Sequence, residues 1–198
     1  MKWLKQQLRE RIIEKRRHLD AAAQAHWGQQ IATRLFQSRS YQQARHIAFY
    51  YSVGGEVPTA LILAHALAQH KCCYLPVLKD KRYLQFVRID DKTRLTPNRF
   101  GILEPPIHAN TLLSPQYLDL VLVPLVAFDK AGYRLGMGGG YYDATFAFSR
   151  HSAQPLLIGL AYEFQRVDDI PRTDSDILVD EVITEKKNYA RTSLLSPK

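Results

Sequence analysis

Five of the ten glycines fall between Gly132 and Gly140, in the string GYRLGMGGGYYD. Such a cluster lets the main chain approach an anion without Cβ interference, and it supplies positive φ. Placed after a strand and before a helix, its N–H groups and the helix dipole can hold phosphate oxygens. Arg134 adds a planar fork suited to phosphate. Asp143, just inside the helix, can complement the dipole or take Mg²⁺. The string is no P-loop, because no Lys-Ser/Thr follows its glycines. It also departs from the dinucleotide fingerprint, since Tyr141 stands where the third glycine belongs.

Periodicity along the chain predicts the helices and strands around this loop. Leu4, Leu8 and Ile12 recur every four residues and predict a helix over 3–17. Asp20 predicts the cap of a second helix through AAAQAHWGQQIATRLFQ. Strands are expected at 46–51, 72–77, 83–89, 119–124, 156–162 and 178–184. Helices are expected at 59–70 and 141–149, and the proline-bearing stretch 97–116 is expected to be mostly loop. Strands alternating with helices argue for an α/β fold: a single domain over 1–198, with an open, mostly parallel sheet and helices on both faces. Ligands in such sheets bind at the C-terminal ends of the strands.

Composition narrows the function class. Residues 1–45 hold ten Lys/Arg against three acids, which gives +7 of the formal net charge of +8. The basicity therefore belongs to the N-terminal helices. It suits RNA, but it equally suits a small polyanion such as ATP. Only Trp3 is available for base stacking among residues 1–20. Mean hydropathy is −0.27, and no apolar run approaches the ~18 residues of a membrane span. MKWLKQQLRER carries charges where a secretory signal would place its apolar core. Cys72 and Cys73 are sequence neighbours with zinc-site spacing absent, so they read as reduced thiols. A cytoplasmic protein is expected, with no nucleic-acid or membrane partner. It is expected to be a monomer, since nothing resembles a coiled-coil seam.

RLGMGGGYYD, preceded by LVPLVAFDKAGY, resembles the signature of the 5-formyltetrahydrofolate cyclo-ligase (5,10-methenyltetrahydrofolate synthetase) family. Lys5–Arg9, Gly55–Thr59 and the closing segment IGLAYEFQRVDDIPRTDSDILVDEVITE fall in the family's order. The resemblance implies ATP- and Mg²⁺-dependent conversion of 5-formyltetrahydrofolate to 5,10-methenyltetrahydrofolate, with release of ADP and phosphate. The substrates implied are ATP and a reduced folate, with or without a polyglutamate tail.

The resemblance also implies roles for particular residues. Lys5 and Arg9, four apart on one helix face, would hold ATP phosphates. So would the loop of Arg134, Leu135, Gly136, Met137, Gly138, Gly139, Gly140, Tyr141 and Tyr142. Arg134 would stabilise charge on the moving phosphoryl group, and Tyr142 would join it as a catalytic residue. Tyr51, Glu56, Met137, Gly138 and Tyr141 would contact the folate, with Glu56 accepting N–H donors of the pterin. Asp143 and Asp176 would hold Mg²⁺. Ala144 after the loop aspartate, Ser175 before Asp176, and Met137 in the loop depart from the family's usual pattern. Two competing readings are another ATP-dependent ligase or kinase on a similar sheet, and a non-enzymatic nucleotide- or RNA-binding module.

Overall fold

In the computed structural model, residues 1–79, 82–152 and 154–191 are described. The expected domain span also takes in 80–81, 153 and 192–198, which lie outside the described residues. Helix α1 (Lys2–Arg17) buries Ile12 and Arg16. Helix α2 (Ala21–Gln37) starts where Asp20 accepts the Ala23 N–H at 2.7 Å, a cap worth ~1 kcal/mol. It buries Gly28, Ile31, Ala32 and Leu35, the three-and-four spacing of one helix face. Its bounds are those expected from the Asp20 cap. Helix α3 (Arg39–Gln43), capped by Ser38, is too short to leave a periodic signal. Helix α4 (Ala60–Ala68) buries Ile62 and Ala66.

The strands in chain order are β1 (His46–Ala48), β2 (Cys72–Leu78), β3 (Leu84–Ile89), β4 (Thr96–Pro97), β5 (Leu103–Glu104) and β6 (Leu112–Leu113). They continue with β7 (Leu120–Val123), β8 (Ala127–Phe128), β9 (Arg134–Leu135), β10 (Leu156–Leu160), β11 (Glu181–Ile183) and β12 (Asn188–Ala190). Eight of them form one sheet in the order β12-β11-β10-β7-β1-β2-β3-β6. The run β11, β10, β7, β1, β2 is parallel throughout. Strands β3, β6 and β12 add antiparallel edges. This is the open, mostly parallel α/β sheet expected. From β1 the chain goes to β2 on one side, while β7 and β10 lie on the other. The carboxyl ends of β1 and β7 therefore border a topological switch point, where such sheets bind ligands.

Alternation along the strands divides the core between two faces. Ile47, Leu120, Leu122 and Ile158 point to the face covered by α2 and α4, where Ile31, Leu35 and Ile62 meet them. Ala48, Val121, Val123 and Leu157 point to the other face, against Phe128, Phe146 and Val179. The cover on that second face is mostly irregular chain. Helix α5 (Tyr141–Thr145) spans five residues, and a 3-10 turn, Ala147–His151, follows it. The expected helix over 141–149 is thus broken at Phe146, which turns into the core.

The antiparallel pair β8–β9 is not legible as strands, because each has only two residues. Its turn is set by Asp129, whose Oδ1 accepts the N–H groups of Ala131 and Tyr133 at 2.9 and 3.1 Å. Gly132 completes it at φ +90°. The hairpin delivers Arg134 and the glycines to the sheet, and α1 lies on it through Ile12, Val126, Ala127 and Leu135. Among the described residues, no helix is long and apolar enough to cross a membrane.

Candidate active site

Two side chains of α1 reach across the whole chain to the glycine loop and the acidic segment. The Lys5 ammonium lies 2.8 Å from Asp176 Oδ2, both side chains mostly buried. Arg9 Nε donates to the Gly136 carbonyl at 2.8 Å. Among the described residues the two terminal nitrogens of Arg9 have no hydrogen-bond partner, so they remain available to an anion. Burial lowers the Arg9 pKa, against the opposing charge of Asp176. Burial also works to raise the Asp176 carboxyl. The Lys5 ammonium and the Thr173 N–H outweigh it and hold the group below the usual carboxylate range.

The loop after β9 is shaped by glycine where a side chain would interfere. Gly138 sits at φ +97°, and a Cβ there would lie 3.4 Å from the Arg9 guanidinium. Gly140 caps α5 at φ +71°. A Cβ on Gly139 would lie 2.9 Å from the Tyr141 ring. Met137 projects into solvent, while the Leu135 side chain is buried in the core beneath α1. The Leu135 carbonyl accepts the Val126 N–H at 2.7 Å, so this residue serves the hairpin and the core. Five residues make α5 too short to supply much macrodipole, so the helix contribution expected for anion binding is small. The loop N–H groups and the α1 cations are the other donors available to an anion here.

Arg134 is buried, and its guanidinium is turned inward. Nη1 donates to the Ile177 carbonyl at 2.8 Å, and Nη2 to Asp143 Oδ1 at 3.1 Å. Asp143 Oδ1 also accepts the Ile177 N–H at 3.1 Å. Asp143 is thereby tied to the residue that follows Asp176. Each aspartate has one oxygen engaged by protein donors, Oδ1 in Asp143 and Oδ2 in Asp176. The other oxygen accepts no hydrogen bond from the described residues. That donor set fits Mg²⁺, which takes one or two carboxylates and completes its shell with phosphate oxygens and water. Among the described residues no group of three or more His, Cys, Asp or Glu gathers to hold a metal.

The second half of the site is built on the segment after β1. Thr59 Oγ1 donates to the Tyr50 carbonyl at 2.7 Å, and the Tyr50 hydroxyl donates to the Val57 carbonyl at 2.7 Å. Between these clamps Gly54 and Gly55 adopt φ +56° and +76°, and Glu56 is buried. Glu56 Oε2 accepts the Val53 N–H at 3.1 Å. Burial pushes the Glu56 carboxyl up, against that hydrogen bond and the Arg16 cation. Burial likewise raises the Tyr142 phenol, with the Glu56 charge adding to it and Arg134 opposing. Tyr142 therefore stays a protonated donor near Glu56. The Tyr141 hydroxyl accepts from Arg99 Nη2 at 3.2 Å, which draws the segment between β4 and β5 against the loop. Tyr51 stands at the rim with its ring exposed.

Sequence reasoning missed Arg16 and Tyr50, which are buried beside Glu56, and Tyr162, which is buried beside those two. Arg16 had a signal: it continues the 5, 9, 12 face of α1 one turn further, so a cation there points inward.

A sequence model of the 5-formyltetrahydrofolate cyclo-ligase family matches residues 1–185. The 5-formyltetrahydrofolate cyclo-ligase of Haemophilus influenzae is 37% identical over 181 residues, covering 90% of this chain and 96% of that relative. The Escherichia coli K12 protein of the same name is 36% identical over 179 residues, 89% and 97% of the two chains. The solved structure of 5,10-methenyltetrahydrofolate synthetase from Aquifex aeolicus superposes with a TM-score of 0.84 at 30% identity, covering 98% of this chain and 96% of that one.

Proposed function

Since the chain belongs to the 5-formyltetrahydrofolate cyclo-ligase family, we propose that it converts 5-formyltetrahydrofolate to 5,10-methenyltetrahydrofolate with consumption of ATP. One observation supports this reading most. Helix α1 brings Lys5 to Asp176 and Arg9 to Gly136, so cations, carboxylates and the glycine loop converge on one point. The charge of Glu56, in the turn after β1, acts on Tyr142, which follows the loop glycines. A polyanion site and a buried carboxylate acceptor thus adjoin, as a reaction between a nucleotide triphosphate and an N–H-bearing heterocycle requires.

The chemistry explains the arrangement. A formamide oxygen is a poor leaving group. When it attacks the γ-phosphorus, ADP departs and the oxygen becomes part of a phosphate ester. N10 then attacks the activated carbon, phosphate departs with that oxygen, N10 loses its proton, and the methenyl cation remains. There is little covalent work for side chains, so catalysis is positioning and charge stabilisation. Lys5 and Arg9 would take phosphate oxygens, the lysine exchanging its bond to Asp176 for one to the nucleotide. The main-chain N–H groups of 136–140 would cradle the same phosphates. Glu56 would orient the pterin, with Tyr51, Met137, Gly138 and Tyr141 around it, and Tyr142 would donate to the reacting formyl region. Mg²⁺ bound by Asp143 and Asp176 would neutralise phosphate charge. With its guanidinium on Asp143 and Ile177, Arg134 serves this site by fixing the aspartate. The reading has the chain act as a cytoplasmic monomer on small-molecule substrates.

A panel of reduced folates tests this, scored by methenyl absorbance and by ADP release. Methenyl formation from the 5-formyl compound, dependent on ATP, is the expected result. ATP turnover on a different substrate would favour another ligase or kinase, and neither product would reject the reading.

A further inference from the structure

Arg16 occupies the last turn of α1, is 3% exposed, and has no hydrogen-bond partner for Nε or Nη1. A buried guanidinium without partners is costly, and such groups are ordinarily paired. The turn carrying Glu56 is wrapped around it. A Cβ on Gly55 would lie 3.4 Å from the Arg16 carbonyl and 3.5 Å from its Cβ, and one on Gly54 would lie 3.7 Å from Nη2. The turn thus packs on the arginine at van der Waals distance, and glycine supplies the two positive-φ residues its shape requires. No contact ion pair forms between Arg16 and Glu56, whose Oε2 takes the Val53 N–H. Oε1 accepts no hydrogen bond from the described residues.

A contact pair would occupy the carboxylate lone pairs; a cation one step away does not. We propose that Arg16 is a positioning residue, the built-in counter-charge of Glu56, which keeps that buried carboxylate anionic while leaving Oε1 to the N–H donors of the substrate's heterocycle. This rests on the reading of Glu56 as the folate acceptor. Every other charged or titratable group facing Glu56 works against its ionisation or is neutral. Tyr50 follows β1, Tyr142 comes from α5, and Tyr162, which follows β10, faces Arg16 and Tyr50; burial keeps all three phenols protonated. Arg134 acts on Tyr142, and Arg16 is the cation of the group acting on Glu56.

The test is 5-formyltetrahydrofolate affinity without ATP, measured against pH for wild type, Arg16→Gln, Arg16→Lys and Glu56→Gln. Affinity should fall on the acid side as the carboxylate takes a proton. In Arg16→Gln that acid limb should move up by about one pH unit, a tenfold loss at a fixed pH on the limb. Arg16→Lys should keep the wild-type profile, and ATP affinity should be unchanged in both. An Arg16→Gln profile that coincides with wild type, or one lowered by the same factor at every pH, would overturn the proposal. Should Arg16→Gln fail to fold, a folded Arg16→Lys that has lost affinity at all pH values would overturn it as well. Wild-type affinity in Glu56→Gln would instead overturn the assignment of Glu56 itself. A weakened Glu56→Gln beside an unmoved Arg16→Gln profile would reject Arg16 alone.

Discussion

Glu56→Gln is expected to weaken 5-formyltetrahydrofolate binding by ~1.5–3 kcal/mol, roughly ten- to a hundredfold, with little change in nucleotide affinity. The substitution keeps the size of a buried side chain and removes its charge. It also replaces one acceptor oxygen by an NH₂ that cannot receive an N–H. The Val53 N–H keeps an acceptor if the amide oxygen takes the place of Oε2. The turn held by Tyr50 and Thr59 should therefore stay in place, and the protein should fold. Calorimetry with each ligand separately checks this. Loss of ATP binding with folate binding retained would mean that the residue serves the other ligand.

The second large effect is expected at Asp143. Asp143→Asn should lower kcat and raise the Mg²⁺ concentration for half-maximal rate, and Asp176→Asn should do so more mildly. Mg²⁺ keeps several waters and takes few protein ligands, so one lost carboxylate shifts the requirement without abolishing it. The variant will also melt earlier, because Arg134 is almost wholly buried and loses its counter-charge. Asp143 itself is part-exposed, and asparagine still accepts from Arg134 and Ile177. The cost should then be about 1–2 kcal/mol, below the value for a fully buried pair. A melt run beside a Mg²⁺ titration separates the two roles. A lower melting temperature with an unmoved titration curve would make Asp143 a structural partner of Arg134 only. If both aspartates act on one ion, the double variant should depart from additivity by more than ~0.5 kcal/mol.

How much of this was legible depends on the length scale of each feature. Helix α2 was readable to its ends, because Asp20 caps it and Ile31, Ala32 and Leu35 repeat on one face. The buried strands β7 and β10 were readable as apolar runs, since both faces of a parallel sheet are covered. Two-residue strands such as β8 and β9 leave no period to detect, although Asp129 and Gly132 are ordinary turn residues. The site residues were legible by type and spacing in the glycine loop. Contacts between Lys5 and Asp176, 171 positions apart, were not. Periodicity reports which way a side chain points on its own helix, and says nothing of what arrives opposite it. Arg134 shows the same limit. Its residue type suits a phosphate, yet folding turns its guanidinium onto Asp143 and the Ile177 carbonyl. Arg16 was readable as an inward cation and unreadable as the neighbour of Glu56 for the same reason.

If ATP activates the formyl oxygen where α1, the glycine loop and the Glu56 turn converge, that oxygen must leave on phosphate. The most direct measurement follows the fate of that oxygen. The chain is given ATP, Mg²⁺ and 5-formyltetrahydrofolate whose formyl oxygen carries a heavy isotope, and the inorganic phosphate is analysed by mass. One labelled oxygen per phosphate released, matched to one methenyl product formed, is the predicted result. Methenyl product formed with unlabelled phosphate, the isotope passing to water, would rule out activation of the formyl oxygen by phosphorylation.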